Sequence, residues 1–289
     1  MTRGLLALAF GLAACGSEEA AGPASERAAP AAPGERPLLA AFLIEDGTYN
    51  SELTAPMDIL HHTPFHAPPG IEVVTVAPTR EPIRTFEGLV IRPDHDYASA
   101  PPIDILVVPS AERHVDADFD DPALVEFVRS RGSTARWVMS LCDGAFVLGR
   151  AGLLDGKTCT TFPGDLAALR ERFPAARVVD GVTFVVDGAL VTGVGGARSF
   201  EPALWLVERL YGELPARGVA RGMVIDWHLE SERYLDVDDA DPDSIGFRAG
   251  DRIDPDVTVL DEDGEVRRLL DLAAEDDRVV VLTLFGGGD

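Results

Sequence analysis

The residue type best suited to chemistry in this chain is the cysteine at position 142, in the run Val138-Met139-Ser140-Leu141-Cys142-Asp143-Gly144-Ala145-Phe146. An apolar strand there gives way to a helical pattern with almost no loop. The side chain at such an elbow is presented at the carboxyl edge of an α/β sheet, where sites of this architecture usually lie. Gly144 relieves crowding in the turn. The free N–H groups and positive dipole end of the following helix favour thiolate over thiol. A free cysteine is as often a buried, inert small hydrophobe, and the residues alone leave both readings open. Other candidates are weaker. His114 reads as a solvated loop histidine, and His61, His62 and His66 lack a spaced metal partner. Cys159 alternates away from Phe162 in a short strand and reads as core, with a bridge to Cys142 as a minor alternative. Arg198 and Ser199 follow the pair Gly195-Gly196 and either line a pocket or close a turn.

The elements that must hold Cys142 alternate between short apolar runs and helical periods, which predicts a mainly parallel sheet covered on both faces. Strands are predicted at Leu38 to Ile44, Ile71 to Ala77, Ile103 to Val108, Trp137 to Leu141, Thr158 to Thr161, Arg177 to Val186 and Leu190 to Thr192. A small hairpin divided by Glu87-Gly88 is predicted between Ile83 and Ile91. Helices are predicted from Leu53 to His62, with Pro56 in the first turns, and from Asp121-Pro122 to Arg131. Four more run from Asp143 to Ala151, Gly164 to Arg172, Phe200 to Tyr211 and Ala216 to His228.

Length and charge bound the partners. The 289 residues suffice for one good-sized domain and a small extra piece. A formal net charge of −24 repels phosphate backbones, so nucleic-acid binding is not expected. Arg3 followed by Leu5 to Leu12 reads as a signal too short to span a bilayer. It ends in Leu12-Ala13-Ala14-Cys15-Gly16, which resembles the lipobox of bacterial lipoproteins. That resemblance implies cleavage before Cys15, lipidation of its thiol and anchorage at the bacterial cell envelope, facing the periplasm from either membrane. An ordinary cleaved signal is the plainer alternative. The boundaries are therefore a signal at 1–14, a flexible tether at 15–36 rich in Ala, Pro, Ser, Gly and Glu, and a main domain at 37–230.

The last segment, 231–289, carries about half of the net charge on about a fifth of the length. Its runs Val257 to Leu260, Asp261-Glu262-Asp263-Gly264 and Arg278 to Phe285 resemble the opening of a thioredoxin-like redoxin domain, truncated before any Cys-x-x-Cys. A merely acidic tail is the alternative.

The blocks Leu141-Cys142-Asp143-Gly144-Ala145-Phe146, Ala151-Gly152-Leu153-Leu154-Asp155-Gly156 and Thr192-Gly193-Val194-Gly195-Gly196-Ala197-Arg198-Ser199-Phe200-Glu201-Pro202 resemble the ThiJ/PfpI family of the class I glutamine amidotransferase-like superfamily, from about Leu38 to about Leu229. The resemblance implies a flavodoxin-like, doubly wound fold with helices on both faces, a homodimer, and a reactive cysteine at Cys142. It also places the family's first-helix carboxylate at Glu52, in Glu52-Leu53-Thr54-Ala55-Pro56. Glu52 would then serve as stabiliser or acid/base, its plainer role being a first-turn glutamate favoured by the helix dipole.

Two departures narrow the chemistry. Phe162 and Asp143 stand at the two places where family members carry a histidine, so the base for peptide hydrolysis is missing. Asp143 would replace it only by turning toward the sulfur; its plainer role is to favour the helix start. Pro109-Ser110-Ala111 replaces the family's Pro-Gly-Gly, leaving backbone donors of Ala111 and Asp143 as the expected oxyanion hole, with Gly144, Phe162, Gly195 and Gly196 completing the pocket. The expected function is a cofactor-independent, metal-independent lyase or hydrolase acting on a small electrophilic molecule, in the manner of an isonitrile hydratase, with Cys142 and Glu52 as the catalytic pair. The alternative is a non-enzymatic protein that senses oxidants or binds a ligand through the same pocket, and a peptidase ranks last.

Overall fold

Alternation along the strands sorts their side chains between two faces. In β1 (Leu38–Leu43), Leu38, Ala40 and Phe42 enter one core cluster, whereas Ala41 and Leu43 enter the other. The computed structural model describes residues 36–116, 118–119, 121–238, 258–260 and 266–268. In chain order β1 is followed by α1 (Asn50–His61), β2 (Ile71–Ala77), β3 (Ile83–Arg84), β4 (Val90–Ile91), β5 (His95–Asp96), β6 (Ile105–Val108), α2 (Pro122–Thr134) and β7 (Trp137–Leu141). Next come α3 (Gly144–Arg150), β8 (Thr158–Cys159), α4 (Leu166–Arg172), β9 (Arg177–Val178), β10 (Phe184–Asp187), β11 (Leu190–Gly193), α5 (Phe200–Tyr211), α6 (Glu213–Gly222) and β12 (Tyr234–Asp236).

The main sheet has the order β12-β10-β11-β7-β6-β1-β2-β5. Its strands pair in parallel except for the antiparallel β10–β11 hairpin. Ile59 of α1, Trp205 of α5 and Val219 of α6 pack with one set of strand side chains. Phe127 of α2, Phe146 of α3 and Leu169 of α4 pack with the other. The expected doubly wound, mainly parallel α/β architecture is therefore the observed one. A fully buried side chain such as Phe146 contributes roughly 1.5–3 kcal/mol.

Several boundaries differ from the sequence reading. Helix α1 starts at Asn50, so Pro56 lies in its interior and removes the N–H that would bond the carbonyl of Glu52. The predicted strand Thr158 to Thr161 stops at Cys159, and the run from Arg177 to Val186 divides into β9 and β10. The last predicted helix, Ala216 to His228, instead spans Glu213–Gly222. Val224 takes a left-handed φ of 60°, the Ile225 N–H donates to the Ala220 carbonyl (2.8 Å), and this C-terminal turn closes the helix. Trp227 then returns to the core and donates to Glu208 Oε2 (2.7 Å).

The main sheet also extends past the compositional boundary at 230, because β12 pairs in parallel with β10. Phe184 stacks on Tyr234, with ring centroids 4.9 Å apart, so this acidic stretch holds its edge position through an aromatic contact. Farther on, β13 (Thr258–Leu260) and β14 (Val266–Arg268) form an antiparallel pair. The run Arg278 to Phe285, the signal, Cys15 and all of the tether but Arg36 lie outside the described residues.

Candidate functional site

Parallel strands β1, β6 and β7 end at one edge of the sheet, and the site is assembled from the loops and helix starts just beyond them. Cys142 directly succeeds β7 with φ 52°, a left-handed value that a non-glycine residue rarely adopts. The fold enforces it. The Cys142 N–H donates to the Gly193 carbonyl (2.9 Å), and the Thr161 hydroxyl donates to the Cys142 carbonyl (2.9 Å). A Cβ at Gly144 would stand 2.1 Å from the Val108 carbonyl oxygen, so only glycine lets α3 start this close to β6. The expected strand-to-helix elbow is present, with Cys142 8% exposed.

Glu52 reaches the elbow from the first turn of α1. Its Oε2 accepts the Ser110 N–H (3.1 Å) and its Oε1 the Gly196 N–H (3.2 Å). The Cys142 thiol is a third hydrogen-bond partner of this carboxyl. Gly195, with φ 84°, closes over both groups. A Cβ there would lie 2.4 Å from the Cys142 Cβ and 2.9 Å from Glu52 Oε1. Thus Cys142, Glu52, Gly144, Gly195 and Gly196 are brought together. A first-turn glutamate favoured merely by the helix dipole would remain in solvent, whereas Glu52 is buried at 4% exposure.

Burial pushes the Glu52 carboxyl up to about 7, against the pull of its three hydrogen bonds. Burial, reinforced by the Glu52 and Asp143 carboxylates, also pushes the Cys142 thiol up, while a hydrogen bond from the Asp143 backbone N–H opposes that shift. The expectation that the helix start would favour thiolate is therefore reversed. One favourable N–H does not offset desolvation beside two carboxylates. The two groups titrate as a unit. Its accessible ionised form holds one negative charge and one proton between sulfur and carboxyl.

Asp143 neither caps α3 through its side chain nor replaces the missing histidine. Its Oδ1 accepts from the Thr161 hydroxyl (3.2 Å), and burial together with the Asp165 carboxylate pushes it up to about 6. Phe162, the residue after Thr161, is 47% exposed and is not brought into contact with Cys142 or Glu52.

The expected oxyanion donor at Ala111 is corrected. Its N–H donates to His114 Nδ1 (3.1 Å), while His114 Nε2 pairs with Glu45 Oε1. Because Nδ1 accepts, the ring proton sits on Nε2 and points to Glu45. His114 is not a solvated loop residue; it is 2% exposed and braces the loop whose Ser110 N–H holds Glu52. The signal was its position three residues after Ala111, a spacing that lets a side chain fold back onto a backbone donor. Of the two expected oxyanion donors, the Ala111 N–H is thus taken by His114 and the Asp143 N–H is aimed at the Cys142 sulfur, while the Ser110 and Gly196 N–H groups hold Glu52. Thr161, which ties the elbow carbonyl to Asp143, was unassigned because its role depends on a loop contact.

Cys159 is fully buried among core residues, and both it and Cys142 are free thiols. The bridge considered between them does not form. Arg198 pairs with Glu201 (2.5 Å) rather than entering the pocket. A separate groove of about 490 Å³, lined by Thr54, Asp58, His61, Val73 and Phe200 among others, contains neither Cys142 nor Glu52.

This elbow, with its carboxyl partner and overlying glycine pair, is set in a chain whose residues 39–209 match the sequence profile described as DJ-1/PfpI family. The chain belongs to the DJ-1/PfpI family. It is 30% identical over 204 residues to an isonitrile hydratase from Pseudomonas putida, covering 70% of this chain and 82% of that protein. It is 27% identical over 190 residues to Protein DJ-1alpha from Drosophila melanogaster, covering 64% and 83% respectively. The crystal structure of an AraC family transcriptional regulator from Pseudomonas putida aligns at a TM-score of 0.58 and 25% identity, covering 65% of this chain and 100% of that one.

Proposed function

We propose that this DJ-1/PfpI protein is a cofactor-independent lyase that adds water to a small electrophile of the isonitrile type, with Cys142 as nucleophile and Glu52 as proton carrier. The carrying observation is the buried Glu52 carboxyl, raised to about 7 and hydrogen-bonded to the Cys142 thiol. A carboxylate of that pKa is available near neutrality to take the thiol proton as the C–S bond forms and to return it afterwards. The similarity to an isonitrile hydratase supports the same choice.

The chemistry balances with these two groups. Sulfur bonds to the terminal carbon of R–N≡C while the thiol proton passes through Glu52 to that carbon, giving R–N=CH–S–Cys142. Water then adds its oxygen to the carbon and a proton to the nitrogen. The C–S bond breaks, the hydroxyl proton returns to the pair, and R–NH–CHO leaves with the thiol restored. The first step develops charge on carbon rather than on oxygen, so it needs a nearby proton more than an oxyanion hole. That suits a site whose donors are turned to Glu52 and sulfur. Hydrolysis of amides or peptides, which passes through an oxyanion, suits it less.

A screen of isonitriles, α-oxoaldehydes and amides with purified protein and its Cys142→Ser and Glu52→Gln variants tests the proposal. Formamide production from isonitriles, lost in both variants, is expected. Unchanged turnover in Cys142→Ser, or no turnover of any isonitrile, would overturn it. A second reading, ligand binding without turnover, is favoured by the raised thiol and the similarity to a transcriptional regulator's domain. Isonitrile binding with an intact Cys142 and no product would select it. Anchorage through a lipidated Cys15 is proposed for either reading. It predicts that Cys15→Ser moves the protein from the membrane fraction to the soluble fraction.

A further inference from the structure

Two carboxyl groups lie beside one sulfur, and a third stands behind one of them. Glu52 bonds the thiol, Asp143 is its chain neighbour, and Asp165 shares a side-chain hydrogen bond with Asp143. Asp143 and Glu52 are both under 9% exposed, so their charges act through protein rather than through water. Two arginines near the same loops are turned elsewhere. Arg150 donates to the carbonyls of His114 (2.9 Å) and Asp116 (2.8 Å), and Arg198 pairs with Glu201. His114, whose field reaches Asp143, is buried and paired with Glu45. Phe162, the residue after Thr161, is exposed and brings no cation.

We infer that the Cys142 pocket selects uncharged or cationic small electrophiles and rejects anionic ones, through the carboxyl groups of Glu52, Asp143 and Asp165. The selection rests on the reading of Cys142 as the reacting group and adds to it the charge class of the substrate. A carboxylate or phosphate approaching the sulfur meets like charge at short range, and among the described residues the arginines of the adjoining loops are committed elsewhere. A neutral rod-shaped group meets no such penalty, and a cation gains from the carboxylates.

The test compares alkylation of Cys142 in the full chain by neutral iodoacetamide and anionic iodoacetate. Both reagents form a C–S bond and release iodide, so they differ chiefly in charge. Peptide mass spectrometry follows Cys142 apart from Cys159. The same protein unfolded in urea supplies the intrinsic ratio of the two rates. The folded protein is expected to prefer iodoacetamide by on the order of tenfold beyond that ratio, with the preference shrinking at high salt. Asp165→Asn, outside the catalytic pair, and Asp143→Asn should each move the ratio toward the unfolded value. Equal ratios in folded and unfolded protein, or discrimination unchanged in both variants, would overturn the selectivity alone. If Cys142 reacted with neither reagent even above pH 9, the nucleophile reading beneath it would fall as well.

Discussion

The Cys142 thiol and the Glu52 carboxyl are joined by a hydrogen bond between the β7 elbow and the first turn of α1, and burial pushes both toward their protonated forms. Two adjacent buried groups of this kind cannot both be charged at neutral pH. Under the proposed function, the working state of the pair is its monoanion, with one proton to move.

The pH dependence of turnover is set by that state. As pH rises through about 7, Glu52 gives up its proton and the monoanion forms, so kcat/KM on an isonitrile should climb across this range. Glu52→Gln should lower kcat by roughly 10²–10⁴-fold and remove the climb. A wild-type rate independent of pH between 5 and 9 would contradict the assignment.

The thiol itself should be a poor spontaneous nucleophile. Because burial and the neighbouring carboxylates hold its pKa up, alkylation by iodoacetamide should keep accelerating above pH 9 without a plateau. Glu52→Gln removes a negative neighbour, so the alkylation profile should shift to lower pH. A plateau already reached near pH 6 would mean that the elbow stabilises thiolate after all.

Stability carries the same signature with a defined sign. Glu52 has a folded pKa of about 7, above the ordinary 4.5. Between those values the folded protein holds a proton that the unfolded chain has released, so stability is present below about pH 4.5 and lost as pH rises through 7. The loss is on the order of 3 kcal/mol for Glu52. Asp143, raised to about 6, adds a loss of the same sign at slightly lower pH. Urea unfolding at pH 5 and pH 8 should show this decline, and Glu52→Gln should flatten it whatever its own offset. An equal decline in the variant would place its origin elsewhere.

Three glycines should differ in cost for reasons visible around each. Gly144→Ala places a Cβ 2.1 Å from a backbone oxygen, and Gly195→Ala places one 2.4 Å from the Cys142 Cβ at φ 84°. Each should destabilise by roughly 2–4 kcal/mol and displace the elbow. Gly196→Ala meets nothing within 4 Å and carries only the penalty of φ 56°, about 1 kcal/mol. Melting temperatures for the three variants check the order. A Gly196→Ala cost equal to the others would show that contact is not what separates them.

Much of the frame is legible in the residues alone. Strand β2 and strand β7 fall where their apolar runs lie, and α5 spans the predicted Phe200 to Tyr211. These segments bury one or both faces, so their side-chain pattern is dictated by the core. The end of α6 is not legible, because Val224 adopts a left-handed turn that its residue type disfavours and Trp227 is drawn back to Glu208. Strand β12 is hidden by its acidic neighbours, since an edge position needs only partner backbone and one aromatic stack.

The sequence by itself determined the family, the doubly wound sheet and the elbow at Cys142, and the family resemblance pointed to Glu52 as its carboxyl partner. Each rests on local pattern or on motifs contiguous in the chain. Only the tertiary structure decided what those groups are poised to do. It turned the Ala111 N–H to His114, gave the Ser110 and Gly196 N–H groups to Glu52, and set Asp143 against Asp165. Those outcomes depend on which loops meet at the sheet edge and how fully they exclude water, and burial there reversed the acidity that the elbow alone would have implied.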